Sequence, residues 1–327
     1  MKIVLVLLVA FTTSIGFADH TAITHAPIGV MGDHVHGKGE FMLSLRTMHM
    51  NMSGMRRGSS EIKDSDYSQA IKPQEMKMTM AMLGLMYGLS DKLTLMGMLN
   101  YTNQSMDLKN AMMNVDFETK SSGLADSSFT LLYKVIDSST HHGGGILKLG
   151  LGVPTGSINE KDEIPMVGET QLPYPMQLGS GTWDPFFGFV YQNYFGKGLF
   201  NWGVETTYKF RLGDNENLYQ LGDQYNLNLW LAYEVKKFFS VSARVNWFYE
   251  DVMNGSDNDL SILPAMNPTA DTENSGGNKT TLFLGSNFHV LNGHRLAFEV
   301  GVPIAQNVNG IQMNDDWQVV VGWQYLL

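Results

Sequence analysis

The chain has no cysteine, which excludes disulfide scaffolds, Cys-ligated zinc and thiol chemistry. Proline is sparse, at 10 of 327 residues, and charged residues make up only 17%, few for a soluble protein. Positive charge is the scarcer sign, with 22 Lys+Arg against 32 Asp+Glu and a net charge of −10. No basic stripe exists to neutralise phosphates, so a nucleic-acid partner is excluded. Beyond the first positions no apolar run reaches the roughly 18 residues of a transmembrane helix, which excludes a helical membrane protein. What is abundant is glycine, 34 residues, which suits many strands and turns.

The N-terminus reads as an address. Met1-Lys2 is a short positive region, Ile3 to Phe11 an apolar core too short to span a bilayer, and Gly16-Phe17-Ala18 a small-residue cleavage site. Residues 1–18 are therefore expected to be a secretory signal peptide. Residues 19–38, with four His, one Pro and three Gly, form an N-terminal segment that either plugs a lumen through Ile28–His36 or trails as a periplasmic tail.

From residue 39 to 327 one pattern repeats: an alternating run, a tight turn, another alternating run, a longer polar connection. Trp317, Val319, Val321, Trp323, Tyr325 and Leu327 share one parity, with Gln318, Gly322 and Gln324 between them. Phe239, Val241, Ala243, Val245, Trp247 and Tyr249 oppose Ser240, Ser242, Arg244 and Asn246. Such period-two runs are strands. Their length, with Trp and Tyr at the ends of the apolar face, fits lipid-spanning strands of about 9–11 residues. Short turns are expected at residues 90–92, 137–142, 196–198, 236–237 and 291–294. Longer connections, which carry most of the acid, are expected at 53–75, 103–122, 157–178, 212–224, 250–279 and 306–316. The fold expected is all-β, a transmembrane antiparallel up-and-down barrel of about 12 strands with short periplasmic turns and long outer loops. Lipid offers no partner for an open sheet edge, so the sheet must close. The location implied is the outer membrane of a Gram-negative bacterium, and the partners are its lipid and lipopolysaccharide together with a small-molecule solute. The acidic loops are either a solvated surface or a mouth that concentrates cations.

Several stretches carry a resemblance. Ala26-Pro27-Ile28-Gly29-Val30-Met31-Gly32-Asp33-His34 with Glu40-Phe41-Met42-Leu43-Ser44, then Leu149–Gly156, then Met176–Asp184, resemble segments of bacterial outer-membrane proteins grouped as the MetA-pathway of phenol degradation family. The resemblance implies a barrel that passes small, aromatic compounds; it supplies no functional residues. The chain ends in Leu327 rather than the Phe usual for outer-membrane strands.

The unusual chemistry is methionine: 17 of 22 Met lie in the first 113 residues. Met48, Met50 and Met52 share a parity with Ser44 and Arg46; Met96 and Met98 share one with Thr94 and Asn100; Met76, Met78, Met80 and Met82 form a third row. The opposite parities carry Leu and Tyr, so lipid should take those and the thioethers should face inward. The phase of the third row is less constrained, because Glu75 and Lys77 fall on its Leu face. Two explanations compete. Thioethers with His34 and His36 could bind Cu(I) or Ag(I), and the His pair itself Cu(II) or Zn; otherwise Met simply fills irregular gaps. No resident cofactor is otherwise indicated. Inward charge is expected from Arg46, Glu205, Lys209, Arg211, Glu234, Arg244 and Glu299, either paired or lining a solute path, while Asp184 gates or braces the lumen. Catalysis is not expected: Ser286 and His289 have opposite parity, and no G-x-S-x-G stands out.

Overall fold

A computed structural model describes residues 21–137, 143–165, 167–260, 263–290 and 293–327. The expected signal peptide, residues 138–142 of one expected turn and residues 291–292 of another lie outside these. The strands are β1 (Phe41–Gly58), β2 (Ser60–Ile62), β3 (Ile71–Ser90), β4 (Leu93–Asn110), β5 (Val115–Leu124), β6 (Ser127–Asp137), β7 (Gly144–Val153), β8 (Lys161–Ile164) and β9 (Gly168–Gln171). There follow β10 (Asp184–Phe195), β11 (Phe200–Lys209), β12 (Tyr219–Gln220), β13 (Gln224–Lys236), β14 (Phe239–Glu250), β15 (Asn254–Gly255), β16 (Gly277–Val290) and β17 (His294–Leu326). Among the described residues the helical elements are three-residue 3₁₀ turns, and no helix is long and apolar enough to cross a membrane.

Each strand pairs antiparallel with its neighbour, and β17 pairs with β1 to close the sheet. By assigned strands the closed barrel has eleven members, with β2 and β5 outside that ring. An odd number of antiparallel strands cannot close on itself, and β17 resolves this. Its residues 294–308 pair with β16, while residues 308–326 pair with β1. The 33-residue element turns back at Asn309-Gly310, where Gly310 takes a left-handed φ of 58°. Its two arms meet where Gln306 hydrogen-bonds the Asp315 backbone and Leu326 N donates to Gly293 O. The chain therefore crosses the wall twelve times.

The alternation sorts two environments. Leu45, Leu85, Leu99, Phe129, Leu149, Phe187, Leu229, Leu284 and Ile304 are exposed on the outside. That belt is continuous round the cylinder and faces lipid, with Tyr101, Tyr233 and Trp317 among its exposed aromatics. The wall is uneven in height. β1, β3 and β4 are 18, 20 and 18 residues long, whereas β7 and β11 have 10 each. At about 3.3 Å per residue the first three reach roughly 60 Å and the latter about 33 Å. The tall side is the methionine-rich side.

Two expected loops are corrected. Residues 103–122 and 306–316 are mostly hairpin, not irregular connection: β4 runs on to Asn110 and β5 returns from Val115, and the arms of β17 continue to their turn. Above the membrane the outer strand face meets water, so Asn103, Ser105, Asp107 and Lys109 replace Leu and Tyr while the inner face keeps Met106 and Leu108 buried. The polarity that reads as a loop is the hydrated side of a strand. Residues 53–58 and 71–75 are corrected in the same way, since β1 continues to Gly58 and β3 begins at Ile71.

Candidate functional site: a lumen filled by the N-terminal segment

Thr21 to Gly39 runs inside the cylinder. A segment without a sheet partner must place its backbone polar groups elsewhere, and here the inward side chains of the barrel take them. Arg46 Nη1 donates to Ile28 O at 2.7 Å, Lys148 Nζ to Met31 O at 2.8 Å, and Arg295 Nη2 to Ala26 O at 2.6 Å. Gln192 Nε2 donates to Asp33 O at 3.0 Å and Ser240 Oγ to Ala22 O at 3.1 Å. In return, Gly29 N donates to Glu299 Oε2 at 2.7 Å and His36 N to Thr94 Oγ1 at 2.8 Å. Gly39 N donates to Gly88 O at 2.8 Å, which ties the segment to the end of β3.

A chain of buried polar contacts lies against it. Lys148 pairs with Glu205, and Asn228 Nδ2 donates to Glu205 Oε2 at 2.7 Å. Arg244 Nη1 donates to Asn228 Oδ1 at 2.7 Å, and Arg244 grips both oxygens of Glu299 at 3.0 Å each. Five strands, β7, β11, β13, β14 and β17, are thus joined through one network that ends on the Gly29 backbone. A side chain there would have to displace the ion pair: a Cβ on Gly29 would lie 2.1 Å from Arg244 Nη2 and 2.8 Å from Glu299 Oε2. The Arg244 guanidinium also stacks 3.8 Å above the Phe283 ring, a favourable cation–π contact.

The inward residues named from sequence divide into groups. Arg46, Glu205, Arg244 and Glu299 meet at this network or at the segment it holds. Asp184 and Arg211 pair nearer the outer rim, where Thr182 Oγ1 and Ser180 Oγ also donate to Asp184 at 2.7 and 2.9 Å; Asp184 braces a loop. Lys209 lines the cavity between rim and segment. Glu234 stands apart, half-exposed near the Lys236–Phe239 turn. Lys148, Asn228, Arg295 and Asp33 escaped the sequence reading. Parity alone would have found Lys148, which shares the inward face of β7 with Ile146 while Leu147 and Leu149 face out.

The methionines of β1, β3 and β4 face inward, including the row whose phase the sequence left less constrained. Glu75 and Lys77, which confused it, pair with each other at 2.9 Å above the lipid belt. Met42, Met82, Met86, Met96 and Met98 are buried against Ala26 and Val30 of the segment, with Met31, Val35, Met48 and Met80 packed beside them. A second cluster sits higher, where Met52, Met55, Met76 and Met106 pack against loop residues Leu172 and Met176. Met50 and Met78 fall between the two. Most of the wall is therefore covered by the protein's own chain.

At the periplasmic end the segment gathers His25, Asp33, His34 and His36. Burial raises the Asp33 carboxyl, but His34, His25 and Arg295 outweigh it and hold it well below the ordinary carboxylate range.

No protein-family model matches the chain, and no curated protein does. Solved structures do. The COG4313 outer membrane channel from Pseudomonas putida F1 superposes with a TM-score of 0.64 at 12% identity, over 96% of this chain and 100% of that one. The fold is that of an outer-membrane β-barrel. The transport unit of the autotransporter AIDA-I from Escherichia coli gives 0.51 at 11% identity, over 88% and 90%. Together with the lipid-facing belt, this fold places the chain in the outer membrane.

Proposed function

We propose that the chain is an outer-membrane channel for small solutes, that its path runs between the methionine wall and the buried ion pairs, and that its own N-terminal segment holds it closed. The observation that carries this is a cavity of about 300 Å³ on the outer side of the segment. Met31, Met96, Met98, Phe186 and Phe248 make one part of its lining, and Lys148, Glu205, Lys209 and Asp184 another. An apolar cavity of about 150 Å³ holds a benzene molecule, so a small ring fits here with room for a polar substituent directed at Lys148 or Glu205. A small aromatic alcohol has that form, in keeping with the resemblance to the phenol-pathway barrels and with the likeness in fold to a channel. Charged groups beside the path supply an electrostatic filter. The test is single-channel recording in planar bilayers. Phenol at millimolar concentration should reduce or interrupt the current, while equimolar glycerol should not. A barrel sealed at every voltage, with or without the segment, would contradict the proposal.

One observation favours a second reading. Register places Met48 opposite Met80, Met50 opposite Met78 and Met52 opposite Met76. Directly opposed side chains have Cβ atoms about 4.5–5.5 Å apart, close enough for two thioethers to share a soft ion such as Cu(I) or Ag(I). The four-fold change of Met48, Met50, Met78 and Met80 to Leu discriminates. Under the channel reading Ag(I) titration of the refolded barrel shows the same weak binding before and after. A loss of tenfold or more in affinity would move the function to metal handling.

A further inference from the structure

The cluster at the periplasmic end serves neither the lipid belt nor the ion-pair network. His25, Asp33 and His34 bring one ligand atom each within 4.8 Å of one another. The His25 and His34 rings meet edge to face with centroids 4.6 Å apart, and His36 stands against His34 at 4.8 Å. Asp33 Oδ1 lies 2.9 Å from His34 Nδ1, while Oδ2 accepts from Ala26 N at 2.8 Å and lies 3.9 Å from His25 Nδ1. With Nδ1 of His34 turned to the carboxylate, its other nitrogen is left over. That Nε2 is shielded from solvent and meets no hydrogen-bond partner among the described residues. All these groups line a cavity of about 180 Å³ that is shared with Glu40 and Arg295.

We propose that this cluster is a binding site for one divalent transition cation of the Zn(II) type, held by His25, His34 and the Asp33 carboxylate. Imidazole and carboxylate are the ligands such borderline ions take, unlike the thioethers higher in the barrel. The donors that face one another are His34 Nδ1 and His25 Nδ1, 2.9 and 3.9 Å from the two Asp33 carboxylate oxygens. Bond lengths of about 2.0–2.2 Å draw the three donors closer than they now stand, a movement open to His25 and His34, whose side chains are 18% and 20% exposed. The topology gives the ion a consequence. Residues 25 and 33–34 are the two ends of the loop whose middle, Ile28 to Met31, reaches the ion-pair network. A cation there clasps the loop at its neck. This does not depend on which solute the barrel passes.

Calorimetric titration of the refolded full chain with ZnCl₂ tests it. Uptake of one ion per chain is expected, with His25→Ala and His34→Ala each weakening binding at least about tenfold and His49→Ala and Met50→Leu leaving it unchanged. The heat-resistant compact form of the barrel on gel electrophoresis reports that each variant is folded. Absence of any Zn(II) uptake to millimolar concentration would overturn the proposal, leaving the cluster a hydrogen-bonded brace. So would uptake that survives the His25→Ala/His34→Ala double change.

Discussion

Excising residues 21–38 should raise single-channel conductance several-fold. A barrel of eight strands is filled by its own side chains, and one of sixteen leaves an open aqueous channel. Twelve crossings lie between, and here the difference is made up by a peptide: Ala22, Ile23, Ala26, Ile28 and Val30 of the segment are as buried as core residues. Removing them strips the cover from Met42, Met82, Met86, Met96 and Met98 and leaves Arg46, Arg295 and Lys148 facing water. The barrel itself should persist, because its strands bond to one another and the lipid belt is untouched. The excised protein should therefore still insert, resist heat on gels, and conduct without the long closed states of the intact chain. Equal conductance for both proteins would mean that the segment does not obstruct the path.

The Glu299→Ala change should lower stability by about 3–5 kcal/mol, because it leaves the Arg244 guanidinium buried without its carboxylate. Glu299 and Arg244 are only 1% and 4% exposed, so water cannot readily make good the loss. A second effect separates this pair from an ordinary buried brace. Glu299 also accepts the Gly29 N–H, so the same change should loosen the segment and increase the time spent open. Urea unfolding in lipid vesicles reads the first effect and bilayer recording the second. A stable variant with unaltered gating would show that the ion-pair network neither supports the barrel nor anchors the segment.

Much of this was legible because a lipid-spanning strand must show its environment at every second residue. The odd-numbered face from Trp317 to Leu327 and the Leu faces opposite Met48 and Met96 fixed which side meets lipid, and Arg46, Glu205, Arg244 and Glu299 followed by parity alone. Above the membrane that signal fails, since both strand faces tolerate polar residues. Residues 103–122 therefore read as loop, although Met106 and Leu108 still alternate inward. The turn at Asn309-Gly310 was readable, as Asn-Gly is a strong hairpin signal, but the Gln and Asn around it masked the arms. What parity cannot supply is the partner of an inward charge. Arg46 and Lys148 donate to carbonyls of a segment that lies before the first strand and outside any strand alternation, and only its folded path shows that Ile28 and Met31 present them. For the same reason the alternation, which turns the methionines inward, could not separate packing from a metal ligand set.

Spin labelling tests the central claim most directly, and the absence of cysteine makes single-site labels clean. Val30→Cys and Leu284→Cys, labelled in the barrel reconstituted into vesicles, would be compared by accessibility to oxygen and to a water-soluble nickel chelate. A label at 284 should be reached by oxygen and not by the chelate, as lipid exposure requires. A label at 30 should be immobilised and shielded from both. A mobile, chelate-accessible label at 30 would contradict a lumen filled by its own N-terminal segment, and a chelate-accessible label at 284 would contradict the lipid-facing barrel itself.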